Sequence, residues 1–252
     1  MQVQWSEMTG PEVRQFARKT KVALIPVGCV EMHGPHLPTG NDAYVADYIC
    51  IRAAQREPAI VLPPIFYNMN NMMKCYPGTI SIPIAALRRI YEDICVECAR
   101  NGFNRIVFFI GHGGSQIVVD VLQADILERR RNGESIPYDV FWTFITTLMQ
   151  PEVGQLVKTP IGHGCEFETS LTLCARPDLV KLGRVKKDGV VRAKAIPKAT
   201  YRTDWIRVVP EGYIGQPRRA TAETGSKLIE ACVMRLAELI KGVKRFDPKR
   251  DA

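Results

Sequence analysis

Long apolar runs are missing from this sequence: its uninterrupted apolar stretches stop well short of the roughly 20 residues that a membrane-spanning helix needs, so no membrane role is expected. The opening residues, MQVQWSEMTGPEVRQF, mix charge and polarity without an apolar core, so no secretory signal is expected either. Linkers rich in glycine, proline or serine are also wanting, which leaves residues 1–252 for a single domain with a sizeable core. Basic segments interleaved with aromatics do not occur. The net charge of +8 gathers in the run Arg129, Arg130, Arg131 and in residues 184–198 and 241–250, which read as solvated helix ends and loops and not as a nucleic-acid surface. A basic rim that attracts an anionic substrate stays open as a reading of the same charge. The eight cysteines are scattered and carry no secretory address, so they read as reduced thiols of a cytoplasmic protein. Cys95 and Cys98 match a C-x-x-C spacing but lie inside a helical pattern with Ile90 and Ile94, which favours two buried thiols over a redox pair.

Strand-like and helix-like segments alternate along the chain. Residues 9–19 open on Thr9 with Pro11 in the first turn and place Val13, Phe16 and Ala17 at helical spacing. Short apolar runs at 22–27, 60–63, 105–110 and 139–144 read as strands, and those at 22–27 and 105–110 are apolar enough to be buried on both faces. Helical patterns at 42–56, 85–100 and 116–131 separate them, a further helix ends near Ala175, and residues 224–241 carry an apolar face of Leu228, Ile229, Cys232, Val233, Leu236 and Ile240. Residues 146–160 form a looser section, and 178–219 are charged and rich in glycine and proline, with little periodic signal. The expected fold is therefore α/β, a single domain with a mostly parallel sheet covered on both faces, which is a three-layer α/β/α arrangement.

Histidine is scarce, and its placement carries the chemistry. All four histidines fall in three glycine-bearing turns: His33 and His36 after the strand at 22–27, His112 in Gly111-His112-Gly113-Gly114 after the strand at 105–110, and His163 between Gly162 and Gly164. Carboxylates accompany two of these turns: Glu31 and Asp42 in the first, Glu166 and Glu168 in the third. Imidazole and carboxylate together are the ligands that Zn²⁺, Mn²⁺ and Fe²⁺ accept. Bland roles exist for each residue alone. His112 could hydrogen-bond a carbonyl, Glu31 could be an ordinary exposed carboxylate, and Asp42 could be only a helix cap. A phosphate-cradling role for the turn at 111–114 is weak, because the Lys-Ser/Thr ending of a P-loop is lacking. On the first turn of a helix, His163 and Glu166 would share a side, while Glu168 would point away from Glu166 and take an outer role.

The strand and turn LIPVGCVEMHGPHLPTGND, the segments YPGTIS and HGCEFETSLTL, the turn GHGG and the late GYIGQPRRATAETG together resemble the creatininase family of metal-dependent amidohydrolases, over residues 22–239. The resemblance implies a centre of one or two divalent metals (Zn, Mn or Fe), a ring-like homo-oligomer, commonly a hexamer, and hydrolysis of amides, often cyclic ones. Carried over residue by residue, it implies that Glu31, Asp42 and His112 bind one metal and that Asp42 bridges to a second held by His33. Gly114 stands where creatininase has a glutamate, and Glu166 stands where other members supply one, so Glu166 is expected to complete the set. His163 matches the catalytic histidine, with Glu31 or Glu166 as proton acceptor. His36 and Trp142 match residues on the substrate side, and Tyr76, Gly78 and Thr79 of the YPGTIS segment are expected to bind substrate. Met32, Ile110, Ser115 and Cys165 depart from the usual pattern and bear on the substrate. Within the family, the small cyclic amide or formamide stands beside two alternatives, an oxidised cyclic sugar of keto-inositol type and a modified precursor peptide. An inactive scaffold of the same fold is the reading from outside enzymology.

Overall fold

The structure, a computed structural model, describes residues 1–150, 152–192 and 203–247. Residues 193–198 and 248–250 of the basic segments, and 193–202 of the aperiodic section, lie outside the described residues.

Four strands, β1 (Val22–Val27), β2 (Ile60–Val61), β3 (Arg105–Ile110) and β4 (Asp139–Phe144), form one sheet in the order β2-β1-β3-β4, and every pairing is parallel. The helices are α1 (Gly10–Lys19), α2 (Asn41–Arg56), α3 (Ile84–Arg100), α4 (Gln116–Arg131), the short α5 (Ile145–Met149) and α6 (Glu152–Leu156), α7 (Glu166–Ala175) and α8 (Ala222–Arg245). The strand order places the layers. From β1 the chain passes through α2 to β2 on one side, then through α3 to β3 on the other, and through α4 onward to β4. Because parallel crossovers are right-handed, reversing direction after β2 puts α3 and α4 on the face opposite α2. Packing agrees: α3 lies against α4, whereas α8 lies against α2, α5 and α7. The expected three-layer α/β fold is what the chain adopts.

Local chemistry explains the element ends. Thr9 and Glu12 form a capping box at the start of α1, where the Thr9 amide donates to the Glu12 carboxylate at 2.7 Å. The Thr221 hydroxyl accepts the Thr224 amide at 3.1 Å and starts α8. Side chains of β1 and all but the first of β3 are buried, as strands covered on both faces require. The strand expected at 60–63 is shorter than its apolar pattern suggests, because Pro63 and Pro64 remove two amide donors in a row. Pairing continues past them only as an isolated bridge between Val27 and Ile65. The section at 146–160, expected to be loose, holds α5 and α6, whose Ile145, Met149 and Val153 join the core.

The sheet order reverses between β1 and β3, and at such a point the carboxyl ends of adjacent strands open a crevice. Two close approaches fix what surrounds that crevice. A Cβ on Gly28, just past β1, would stand 2.1 Å from the Ala43 amide nitrogen, so the first turn of α2 rests directly on the strand end. A Cβ on Gly225 would stand 1.9 Å from the Ser170 carbonyl oxygen, so α7 and α8 touch backbone to backbone.

Candidate metal centre

The loop after β1 bends back on itself through Gly34, at φ +67°, and is held by a Glu31 amide bond to the Thr39 carbonyl at 2.8 Å. It delivers Glu31 and His33 to the crevice, and Asp42 arrives from the first turn of α2. The turn after β3 adds His112, the approach to α7 adds His163, and the first turn of α7 adds Glu168. Asp42 lies at the centre. Its Oδ1 is 3.0 Å from His33 Nε2, and its Oδ2 is 3.2 Å from His112 Nδ1. Glu31 Oε2 stands 3.1 Å from the same His112 nitrogen, and Glu168 Oε2 stands 3.9 Å from His33 Nε2. Ligand atoms thus fall into two adjoining groups that share Asp42: Glu31, Asp42 and His112 with Cys29, and His33, Asp42 and Glu168. Glu31, His33 and His163 form a third overlapping group.

The three histidines are oriented alike. His33 Nδ1 is 3.0 Å from the Glu31 carbonyl, His112 Nε2 is 3.4 Å from the Met69 carbonyl, and His163 Nε2 is 2.6 Å from the Met32 carbonyl. A carbonyl accepts only, so each of these nitrogens carries the hydrogen of the neutral ring and the other presents a lone pair. For His33 and His112 that lone pair faces carboxylate oxygens. His33 Nε2 is buried and, among the described residues, has no hydrogen-bond partner. Acceptors turned on acceptors in a buried site need a cation between them, and metal-binding histidines are oriented by a carbonyl on the far nitrogen in just this way. On that ground the residues fit a divalent metal pair.

With protons as the only cations, the site becomes a tight charge cluster. Burial raises the Glu31 carboxyl, but His112 and His163 outweigh it and bring the group down to about 2. Asp42, equally buried, is held well below the usual carboxylate range by His33 and His112. Burial alone would lower His33, and Asp42 reverses this and raises it to about 10. Burial, reinforced by charge on His33, lowers His163 to about 4, so this ring is neutral near pH 7.

Of the residues expected from the sequence, Glu31, His33, Asp42, His112 and His163 come together, and Glu166 does not. Both oxygens of Glu166 accept the Lys158 amide at 3.1 Å, and one also accepts the Thr159 hydroxyl at 2.8 Å. The helix begins at Glu166, so residues 166 and 168 do fall on opposite sides, but it is Glu168 that faces the cavity. His163 lies in the turn before the helix, where helical spacing does not apply.

A cavity of about 500 Å³ opens on the cluster, and Glu31, Asp42, His112, His163 and Glu168 line it. None of the five residues expected on the substrate side is among its lining residues. His36 Nε2 pairs with the Thr169 hydroxyl at 3.1 Å and its ring stands edge-on to Tyr213. Tyr76 is buried and its hydroxyl donates to the Val209 carbonyl. Thr79 accepts the Met32 amide at 3.1 Å, and Gly78, at φ +82°, makes the turn before it. Trp142 sits within β4 opposite Phe108, two residues short of the strand end that opens on the crevice. These residues brace the metal-bearing loop and the sheet. The tryptophan that lines the cavity is Trp205, edge-on to His163 with ring centroids 5.4 Å apart. It comes from the aperiodic section, where no pattern marks it. Cys29 was also missed as a cluster member. Its thiol lies 3.2 Å from Asp42 Oδ2 and 3.3 Å from Glu31 Oε2, and the two-residue alternation with Glu31 is the signal that could have found it.

Comparison with known proteins places this arrangement. Residues 6–240 match the family model described as Creatininase, creatinine amidohydrolase. The creatinine amidohydrolase of Pseudomonas putida is 31% identical over 239 residues, which is 90% of each chain. The mycofactocin precursor peptide peptidase of Mycolicibacterium smegmatis is 31% identical over 256 residues, 94% of this chain and 90% of that one. Among solved structures, a creatininase variant of Zn–Zn type superposes with a TM-score of 0.84 at 29% identity, covering 98% of this chain and all of that one, and a similar structure is described as creatininase with Mn. With the family match spanning nearly its whole length, this chain belongs to the creatininase family.

Proposed function

We propose that the chain is a metal-dependent hydrolase that cleaves a C–N bond of a small cyclic amide or formamide. The observation that carries this reading is Asp42, whose two oxygens face two adjoining groups of buried ligands at the floor of one cavity. Glu31, Asp42 and His112 would hold one divalent cation, and His33, Asp42 and Glu168 the other, with Zn, Mn or Fe as candidates. A divalent pair supplies Lewis acidity to a carbonyl oxygen and makes water a nucleophile at neutral pH.

The chain's own groups do the rest. His163 lines the cavity as a neutral ring with its Nε2–H spent on the Met32 carbonyl, so Nδ1 is free to take a proton and return it to a leaving nitrogen. Loss of that proton carrier is expected to lower kcat of His163→Ala by about 10²–10⁴-fold with metal content preserved. Metal analysis alongside turnover checks this, and an unchanged kcat would remove His163 from the chemistry. Self-association is part of the same proposal, with a hexameric ring expected. Exposed Ile117 and Val121, one turn apart on α4, are candidates for a contact between copies, and sedimentation measures the subunit number.

A further inference from the structure

Among the described residues, the wall of the cavity away from the candidate metal cluster is apolar and carries no charge. Met69, Met72, Phe144, Ile161, Phe167 and Trp205 supply its surface, and neutral side chains such as Asn71 and Gln150 supply the polar remainder. Among the described residues no lysine or arginine lines it, although the chain carries 34 of them. The charged and titratable lining groups are the five at the cluster itself, Glu31, Asp42, His112, His163 and Glu168. Among the described residues the basic surplus thus supplies no rim for an anionic substrate. An anionic tail would be stripped of water against methionine and aromatic surface with no cation among those residues to meet it.

Size bears on the same point. At the roughly 30 Å³ that one water occupies in the liquid, a bare five-membered lactam of six heavy atoms takes about 180 Å³ or less. The cavity is about 500 Å³, within the range of pockets that enclose drug-sized ligands. The unfilled part is bounded by side chains suited to an uncharged hydrophobic group. Flexible methionines on one segment let such a wall adapt to its shape.

Resting on the metal-dependent reading above, we propose that the substrate is an uncharged amide bearing an apolar substituent, a ring or branched chain, that packs against the wall of Met69, Met72, Phe144 and Trp205. Three hydroxamates that differ only in their tails test this by calorimetry on Zn²⁺-loaded protein: acetohydroxamate, 3-phenylpropanohydroxamate and the monohydroxamate of succinic acid. The phenyl compound is expected to bind at least about tenfold more tightly than acetohydroxamate, and the succinyl compound no more tightly than acetohydroxamate. In Met72→Ala and Phe144→Ala the phenyl-to-acetyl affinity ratio is expected to fall at least threefold. Equal affinity for the phenyl and acetyl compounds, a preference for the succinyl compound, or a ratio unmoved in both variants would overturn the inference while leaving the metal site standing. If none of the three binds the Zn²⁺-loaded protein, the metal-centred reading itself fails and takes the inference with it.

Discussion

Glu168 and Glu166 stand two positions apart at the start of α7, and a glutamine at each separates their roles. Glu168→Gln is expected to lower bound metal from two equivalents towards one, measured by elemental analysis, because it removes a charged ligand from the group around His33. Glu166→Gln is expected to keep its metal and lose about 1–3 kcal/mol of stability in urea, because the Lys158 amide and Thr159 hydroxyl lose a charged acceptor. Metal loss in Glu166→Gln with none in Glu168→Gln would restore the order expected from sequence. Glu31, His33, Asp42 and His112 were legible because each follows a strand or opens a helix, where the fold class alone says ligands gather. Helical spacing sets Glu168 opposite Glu166 but does not say which of the two faces the crevice, so the outer role expected for Glu168 is where the structure differs. Trp205 and the neutral wall were beyond reach for another reason: a side chain on an aperiodic segment is positioned by distant contacts that leave no period in the sequence.

At the scale of elements, close packing of helices is the stiffest constraint. Gly225→Ala would drive a methyl group into the Ser170 carbonyl and is expected to cost at least about 3 kcal/mol, or to prevent soluble expression, by forcing α8 off α7. Wild-type stability in that variant would show that the two helices can part freely. Helix α2 offers a pH test away from the metal ligands. Burial, aided by Glu7, raises the Asp47 carboxyl to about 6 from an unfolded value near 3.8. Between those values the folded chain holds more protons than the unfolded one, so stability falls as pH rises from about 4 to 6 and the penalty is complete above that. Asp47→Asn is expected to gain on the order of 1 kcal/mol at pH 7.5 and nothing at pH 4, read as Tm against pH. An equal gain at both values would trace the effect to packing. The long elements were legible from their periods and β2 from its apolar run, although two prolines cut it short, whereas α5 was not, being too short to show a repeat.

The described fold converges on the carboxyl ends of β1 and β3, so its cohesion and the proposed metals are linked. Candidate ligands come from the loop after β1, from α2, from the turn after β3 and from the first turn of α7. A cation that binds only the assembled fold adds about 3 kcal/mol at a hundredfold excess over Kd. Chelation is therefore expected to lower Tm by roughly 5–10 °C, with recovery on adding Zn²⁺ or Mn²⁺. Thermal scans with and without chelator decide this, and identical curves would count against a built metal centre.

One arrangement bears on how such a protein changes over generations. The proposed cage is drawn from residues 31–42, 112 and 168, while the proposed specificity wall is drawn from Met69, Met72, Phe144, Ile161, Phe167 and Trp205. The two meet at Phe167, the chain neighbour of Glu168, and at Met69, where the tie to His112 is a main-chain oxygen, which any amino acid at that position would furnish. On the proposed reading, mutational drift at the wall's side chains would rewrite what the protein accepts without touching how it is charged with metal, and a lineage built on this plan would be free to diversify its diet while inheriting its chemistry intact.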